Sequence, residues 1–519
     1  MIHNKYILSG SIAALLLCSA CTKNFALYNQ DPYGVTEEEL KTIPRGGTQI
    51  ANLQDWVVPN QENGWQMTFD IVGVLSGLSA TPGFSDDFHK LSPRQGWNDY
   101  PFDDTYTHIY PDFNPVRAYS NEDYNRFEFS WASILRVAIS HRISDLYGPI
   151  SFSGVVPGAK HVAYDKESDL YLNYLDILKH AADAIDAMEP VSYAKYADYD
   201  KVYGGDFKKW VRYARSLALR LAVRISAVEP EKAKEYAEWA VKAGVITTNA
   251  DNAQEKTIDN PAYKTSVSWG DMRAGADIVE YMKAFQDPRM EKFFKPAPGR
   301  GAIAGARGLN KASKDHNDKF SVPNIEKNSP IMWISAAEVA FLKAEGALLG
   351  WDMGNTPQEL YEQGIKLSFE QWGVDANLAT VYLQNNNTRG AFMDGYVEEI
   401  SAPSFRSAIT VKWDEAANLE TKLSKIITQK WINFYPYNTI EAYTEWRRTG
   451  YPNLMGALVN NSGGQVADIV QESGKDKGGI RRLVYTQTEK SNNSASVTDA
   501  VAKLGGPDSY NTDLWWVRK

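Results

Sequence analysis

The chain has 519 residues, enough to bury a large core in one to three domains. With 43% hydrophobic and 23% charged residues, it has the composition of an ordinary globular protein and not of a disordered or collagenous one. Acidic residues outnumber basic ones 64 to 55, and no run of Lys or Arg exceeds two, which argues against an electrostatic grip on nucleic acid.

The longest apolar stretch, Ile7–Leu17, is shorter than the roughly 20 residues that span a bilayer. Lys5 precedes it and the small residues Ser19 and Ala20 follow, the three-part layout of a secretory signal peptide. The run Leu16-Leu17-Cys18-Ser19-Ala20-Cys21 resembles the lipobox of bacterial lipoproteins, with Cys18 where Leu is usual. That resemblance implies a leader at residues 1–20 and a lipid, including palmitate, on Cys21, which would anchor an otherwise soluble domain spanning 21–519. Cysteine usage agrees: once Cys18 leaves with the leader, acylation of Cys21 removes the last thiol from an oxidising compartment. No disulfide scaffold or redox role remains.

Residues 22–160 read as largely irregular. The segment Thr81–Asn114 is rich in Pro, Asp, Gly and aromatics, and helical periodicity is confined to Gln66–Leu75 and Tyr124–Leu146. From Lys166 the pattern is plainly helical: Leu170, Tyr174, Ile177, Leu178, Ala181, Ile185 and Met188 fall at steps of three or four. Phe207 to Ile225 predict a second helix, and Pro230 opens a third that Gly244 closes. Val245–Pro330 read as loop with a short helix at Asp277–Phe285, and Pro298–Gly308 carries four glycines. Helical spacing returns at Ser335–Trp351, at Gln358–Trp372 and, split near Pro436, over 419–448. The expectation is a mainly α fold, a tetratricopeptide-like scaffold of helical hairpins at 164–244 and 333–450. Long loop-rich insertions at 76–120 and 245–330 would face the ligand.

Motifs for catalysis are missing: there is no His-Glu-x-x-His, Gly-x-Ser-x-Gly, phosphate loop or dinucleotide fingerprint. Histidines 89, 108, 141, 161, 180 and 316 never fall at metal-ligand spacing, so a metal site would need a three-dimensional coincidence. Acidic pairs Asp86-Asp87 and Asp103-Asp104 leave a structural calcium open without locating one. Glu338 and Glu345, seven apart on one helix side, read as ion-pairing groups between helices. Arg447 and Arg448 read as cations closing a helix before Gly450. Trp and Tyr together number 44 against 19 Phe. Flat rings with polar handles suit the apolar face and hydroxyl edge of a sugar. The cluster Phe84, Phe88, Trp97, Tyr100, Phe102, Tyr106 and Tyr110 is interleaved with Asp86, Asp87, Arg94, Asn98, Asp99 and Asp103. Trp269 stands beside Asp271 and Arg273. The candidate ligand-binding residues are Trp97, Tyr100 and Trp269.

Four segments resemble the SusD/RagB outer-membrane lipoproteins of Bacteroidetes: Asn29-Gln30-Asp31-Pro32-Tyr33-Gly34; Arg142-Ile143-Ser144-Asp145-Leu146-Tyr147-Gly148-Pro149-Ile150, where Gly148 reads as a turn out of a helix; Ala337–Gly346 followed by Leu360–Ile365; and Glu441-Ala442-Tyr443 through Trp446–Pro452. The resemblance implies a non-enzymatic lid over a SusC-like TonB-dependent transporter, capturing glycan for import at the cell surface. A structural lid for peptide or other cargo, with selectivity residing in the transporter, stays open beside it. Thr22-Lys23-Asn24 lacks an acidic export run, so outward display is implied by the family alone.

Overall fold

Amphipathic helices need partner faces, and this chain supplies them in pairs. The computed structural model describes residues 43–517 except 84–86, 157 and 160. Cys21 with its lipobox, the Asn29–Gly34 segment, Phe84 and Asp86 lie outside the described residues. Gly46–Lys519 form one unit. Its principal helices are α1 (Gly47–Val57), α2 (Gln95–Ser120), α3 (Phe127–Tyr147), α4 (Glu167–Ala187), α5 (Phe207–Arg224), α6 (Pro230–Ala243), α7 (Ala336–Leu348), α8 (Pro357–Gln371), α9 (Leu419–Asn433) and α10 (Thr439–Thr449).

Consecutive helices α3–α4, α5–α6, α7–α8 and α9–α10 pack as pairs, while α4–α5, α5–α7 and α7–α9 contacts join the pairs into a continuous array. Local chemistry fixes the ends. Pro230 sits in the first turn of α6, and Gly244 follows its last residue at φ +107°. Thr356 and Glu359 close a reciprocal capping box at the start of α8. Gly148, at φ +91°, turns the chain out of α3, as its sequence setting predicts.

All 21 residues of α3 are buried, so its polar side chains must find partners inside the protein. Asp145 pairs with Arg224 of α5, which also donates to Glu441 of α10 at 2.6 Å. Arg220 binds Glu338 of α7 at 2.6 and 2.9 Å and reaches Glu441 at 3.2 Å. A second group follows along the same helices: Arg448 sits 2.7 Å from Glu345 and 2.6 Å from Glu445, and Lys430 lies 3.0 Å from Glu445. Glu338 and Glu345 are thus interhelical ion-pairing groups, as their spacing predicts. Arg447 and Arg448 do stand in the last turn of α10 before Gly450 at φ +77°, as expected, but that is only part of their role. Both are buried in the core; Arg447 donates to the carbonyls of Arg481 (2.9 Å) and Asp145 (2.7 Å) instead of merely ending a helix.

The largest departure from the sequence reading is α2. A 26-residue helix occupies the second half of the predicted loop 76–120 despite Pro101, Pro111 and Pro115 inside it. Each proline removes a helical hydrogen bond, yet packing of one face on α1 and α3 prevails. The 245–330 region is irregular as expected, with helix Ala276–Ala284 close to its predicted place. Short antiparallel ribbons pin it: Arg273–Ala274 pairs with Ser79–Ala80, Ala253–Glu255 with Ile331–Ile334, and Phe294–Lys295 with Val322–Pro323. Two of the glycines of 299–308 sit where a side chain would not fit. A Cβ at Gly305 would lie 2.5 Å from the Ala276 Cα, and one at Gly308 2.2 Å from the His89 ring.

Candidate functional site

The first turn of α2 divides its residues between core and surface. Asn98 exchanges two hydrogen bonds with the backbone of Val484, at 2.8 and 3.0 Å, and Asp99 accepts the Gln487 N–H at 3.0 Å. Phe102, one turn further, is buried and stacks on Tyr106 with ring centroids 4.5 Å apart. With 98, 99 and 102 turned inward, Trp97 and Tyr100 are left half-buried on the same turn, Trp97 packing in part against the core. The rest of the predicted aromatic cluster that falls within the described residues is core or near it: Phe88, Phe102 and Tyr110 are buried, and Tyr106 packs against them.

Tyr100 begins a ridge with a four-residue step, which on a helix is one face. Its hydroxyl donates to Asp104; burial together with the Asp104 charge pushes the phenol up to about 12, so it stays protonated. Burial also raises the Asp104 carboxyl, while His108 and the Tyr100 hydroxyl act against that rise. His108 Nδ1 lies 3.6 Å from Asp104 Oδ1, and the His108 ring stacks on Trp56 of α1 at 3.8 Å between centroids. The ridge therefore sets a carboxyl between rings: Tyr100, Asp104, then His108 stacked on Trp56.

Trp269 arrives from a different segment. It follows the wide helical turn Lys264–Ser268, donating its N–H to the Lys264 carbonyl at 2.8 Å, and is half-buried. Gly270 at φ +76° turns the chain beneath it, held by Asn317 Nδ2 on its carbonyl at 2.6 Å. Asp271 accepts from Gln66 Nε2 at 3.0 Å and faces Lys314 Nζ at 3.5 Å. Gln66 lies two residues past Gly64, where a Cβ would stand 3.6 Å from Asp104 Oδ2. The segments Glu62–Trp65 and Gln66–Asp70 pack against α2, and Gln66 reaches Asp271 beside Trp269. Gln66, His108 and Trp56 were missed in the sequence, and Asp104 was read only as half of an acidic pair; the step of four from Tyr100 was the available signal for Asp104 and His108, but it has meaning only if 95–120 is helical.

The described residues contain one grouping of three potential metal ligands, His141, Asp145 and Glu441, all buried. Arg220 and Arg224 already supply its positive charge, and His141 Nε2 lies 3.2 Å from Glu441 Oε1. Burial lowers His141, so the imidazole stays neutral, while burial is overcome at Glu441 by Arg220 and Arg224, which hold that carboxyl well below its ordinary range. This is a structural knot. Of the acidic pairs, Asp103 accepts from Thr488 at 2.8 Å, and Asp87 pairs with Arg94 at 2.6 Å.

Residues 28–517 match the model of the SusD-like family, described as the Susd and RagB outer membrane lipoproteins. The chain belongs to this family. No curated protein matches it. Among solved structures, a chitin-binding SusD homologue from Flavobacterium johnsoniae is 35% identical, covers 91% of this chain and 98% of its own, and superposes with a TM-score of 0.83. A SusD homologue from Bacteroides thetaiotaomicron is 34% identical over 91% of this chain and 99% of its own, TM-score 0.82. Another, from Bacteroides uniformis, is 35% identical over 92% and 100%, TM-score 0.81. The helical-hairpin fold and the family expected from the sequence both hold. As an outer-membrane lipoprotein of the SusD/RagB family, the chain has no helix among its described residues that is long and apolar enough to cross a membrane.

Proposed function

We propose that this lipoprotein captures nutrient glycan at the cell surface and passes it to a SusC-like TonB-dependent transporter without cleaving it. The observation that carries the reading is the first turn of α2. Its inner residues are locked to 484–487, so Trp97 and Tyr100 are held half-buried on a rigid element instead of a mobile loop. Sugar rings offer C–H faces to such side chains, while Asp104, Gln66 and Asp271 supply acceptors and donors for hydroxyl edges. The chitin-binding homologue supports glycan as the ligand class and makes N-acetylglucosamine oligomers the first to test.

The experiment is affinity electrophoresis and calorimetry against chitin oligomers and a panel of other glycans. The expected result is retardation or saturable binding with no product formed. Trp97→Ala, Tyr100→Ala and Trp269→Ala should each weaken binding by up to about tenfold, since ring-face contacts are worth about 0.5–1.5 kcal/mol. Full ligand uptake by the triple variant, with its transporter association intact, would overturn the aromatic-platform reading and place selectivity in the transporter.

A further inference from the structure

A cleft of about 200 Å³ opens where the end of α2, the first halves of α3 and α4, and the chain just after α3 meet; none of Trp97, Tyr100 and Trp269 lines it. Helical spacing builds its walls: Phe129, Ser133 and Arg136 share one face of α3, and Asn173 and Ile177 stand one turn apart on α4. Arg117 enters from the last turn of α2. Charge sets this cleft apart. Deeper in the core, Arg220 and Arg224 each pair with at least two carboxylates. Arg136 is only 9% exposed, yet among the described residues it has no carboxylate in salt-bridge range. Uncharged groups fix it instead. Its guanidinium lies over the Phe152 and Phe113 rings at 3.8 and 4.6 Å, and Nη2 donates to the Phe152 carbonyl at 2.5 Å. Nη1 makes no hydrogen bond with any described residue.

Arg117 donates Nη1 to the Val155 carbonyl at 2.8 Å and faces one carboxylate, Glu122, at 3.8 Å. That separation is too long for a hydrogen bond, and the Glu122 side chain is 67% exposed, so solvent screens it. The other acids nearby are engaged elsewhere: Asp165 accepts from Ser153 Oγ and from the Phe152 and Ser153 N–H groups, and Asp176 accepts from the Tyr236 hydroxyl. Two guanidiniums thus line one cleft with a single screened counter-charge. Enclosed charge without a close partner is costly, and water leaves the imbalance in place. A carboxylate matches the planar fork of a guanidinium with two oxygens. Burial holds the Tyr124 phenol protonated, against the pull of Arg136 and a Ser133 hydrogen bond, which adds a neutral donor to the lining. Phe129, Phe152 and Ile177 supply apolar wall for the rest of a ligand. We infer that this cleft binds a small carboxylate with a short apolar body, of the size of butyrate or benzoate, its charge held by Arg117 and Arg136.

The test is calorimetry on the full chain in detergent at low salt, against a micelle blank. Butyrate and benzoate are the probes, butyramide and benzamide their neutral isosteres, and sulfate a rounder anion. At least one carboxylate should bind at 1:1 stoichiometry, more weakly as salt is added, and its amide should not compete. Arg117→Gln should weaken binding about tenfold or more. Glu122→Gln removes the competing carboxylate from an exposed position, so it should tighten binding at an unchanged melting temperature; arginines with a purely structural role would give no such gain. Trp97→Ala should leave binding unchanged, which separates this cleft from the Trp97 face. The inference is overturned if neither carboxylate binds below about 10 mM, if an amide binds as tightly as its acid, or if sulfate alone binds. It is equally overturned if Arg117→Gln binds as its parent does or if Glu122→Gln brings no gain.

Discussion

Replacing Glu445 with Gln keeps the side chain's shape and removes one charge from the buried network. Glu445 sits 2.6 Å from Arg448, 3.0 Å from Lys430 and 3.7 Å from Arg224. Burial alone would raise its carboxyl; the three cations overcome that and hold it down at about 2 from an ordinary 4.5. At about 1.4 kcal/mol per tenfold, that difference corresponds to about 3 kcal/mol of folding stability. Breaking one partner of a buried ion pair independently costs about 3–5 kcal/mol, so the two routes agree. Because the folded value is depressed, the contribution is complete above the unfolded value near 4.5 and is lost as the pH falls toward 2. Urea unfolding at pH 7 should therefore show Glu445→Gln destabilised by about 3 kcal/mol with an unchanged slope, and the gap between variant and parent should shrink between pH 5 and pH 2. A loss below about 1 kcal/mol at pH 7, or a gap that ignores pH, would refute the reasoning.

Three further substitutions probe other links in the fold. Asn98→Ala leaves the Val484 N–H and C=O without their side-chain partner, and should cost about 1–3 kcal/mol and speed hydrogen exchange at 484–487; unchanged exchange there would mean the clamp is not what fixes this turn. Gly364→Ala places a Cβ 2.6 Å from the Phe341 ring where α7 and α8 cross, so a melting-temperature drop equivalent to about 1–3 kcal/mol is expected, and an unaltered melting curve would contradict that close approach. Thr356→Ala removes the α8 capping box and should cost about 1 kcal/mol by denaturant titration, whereas Thr356→Ser should cost much less; equal losses in the two would count against the cap.

Most of the helical scaffold is legible because its helices have one wet side. The alternation in α4, α5 and α6 follows directly from apolar residues at steps of three or four, and Pro230 and Gly244 mark their borders. Two helices resist the same reading for opposite reasons. α3 is buried all round, so its period has weak contrast, although its apolar density still places it near 124–146. α2 carries three prolines, each a local argument against helix, and only its packing on α1 and α3 outweighs them. That misreading spreads to the site: a loop offers no reason to link Tyr100 with Asp104 and His108. The buried charges are hidden for a different reason. Position within a helix is readable from spacing, as is the pair Glu445–Arg448, but the other partner of Arg448, Glu345, lies 103 residues away, and nothing local reveals it. Trp97, Tyr100 and Trp269 stand out as aromatics beside polar groups, yet the same rule also selects Phe102, which the structure buries.

The clamp between Asn98 and Val484 spans 386 residues of chain. The turn that presents Trp97 and Tyr100 therefore lacks its backing until nearly the whole polypeptide is available to fold. Contacts of such separation close late, after local helices have formed. A nascent or truncated copy would own all its candidate rings and still lack the means to hold two of them in position, so a shortened chain should lose its grip well before it loses its helices.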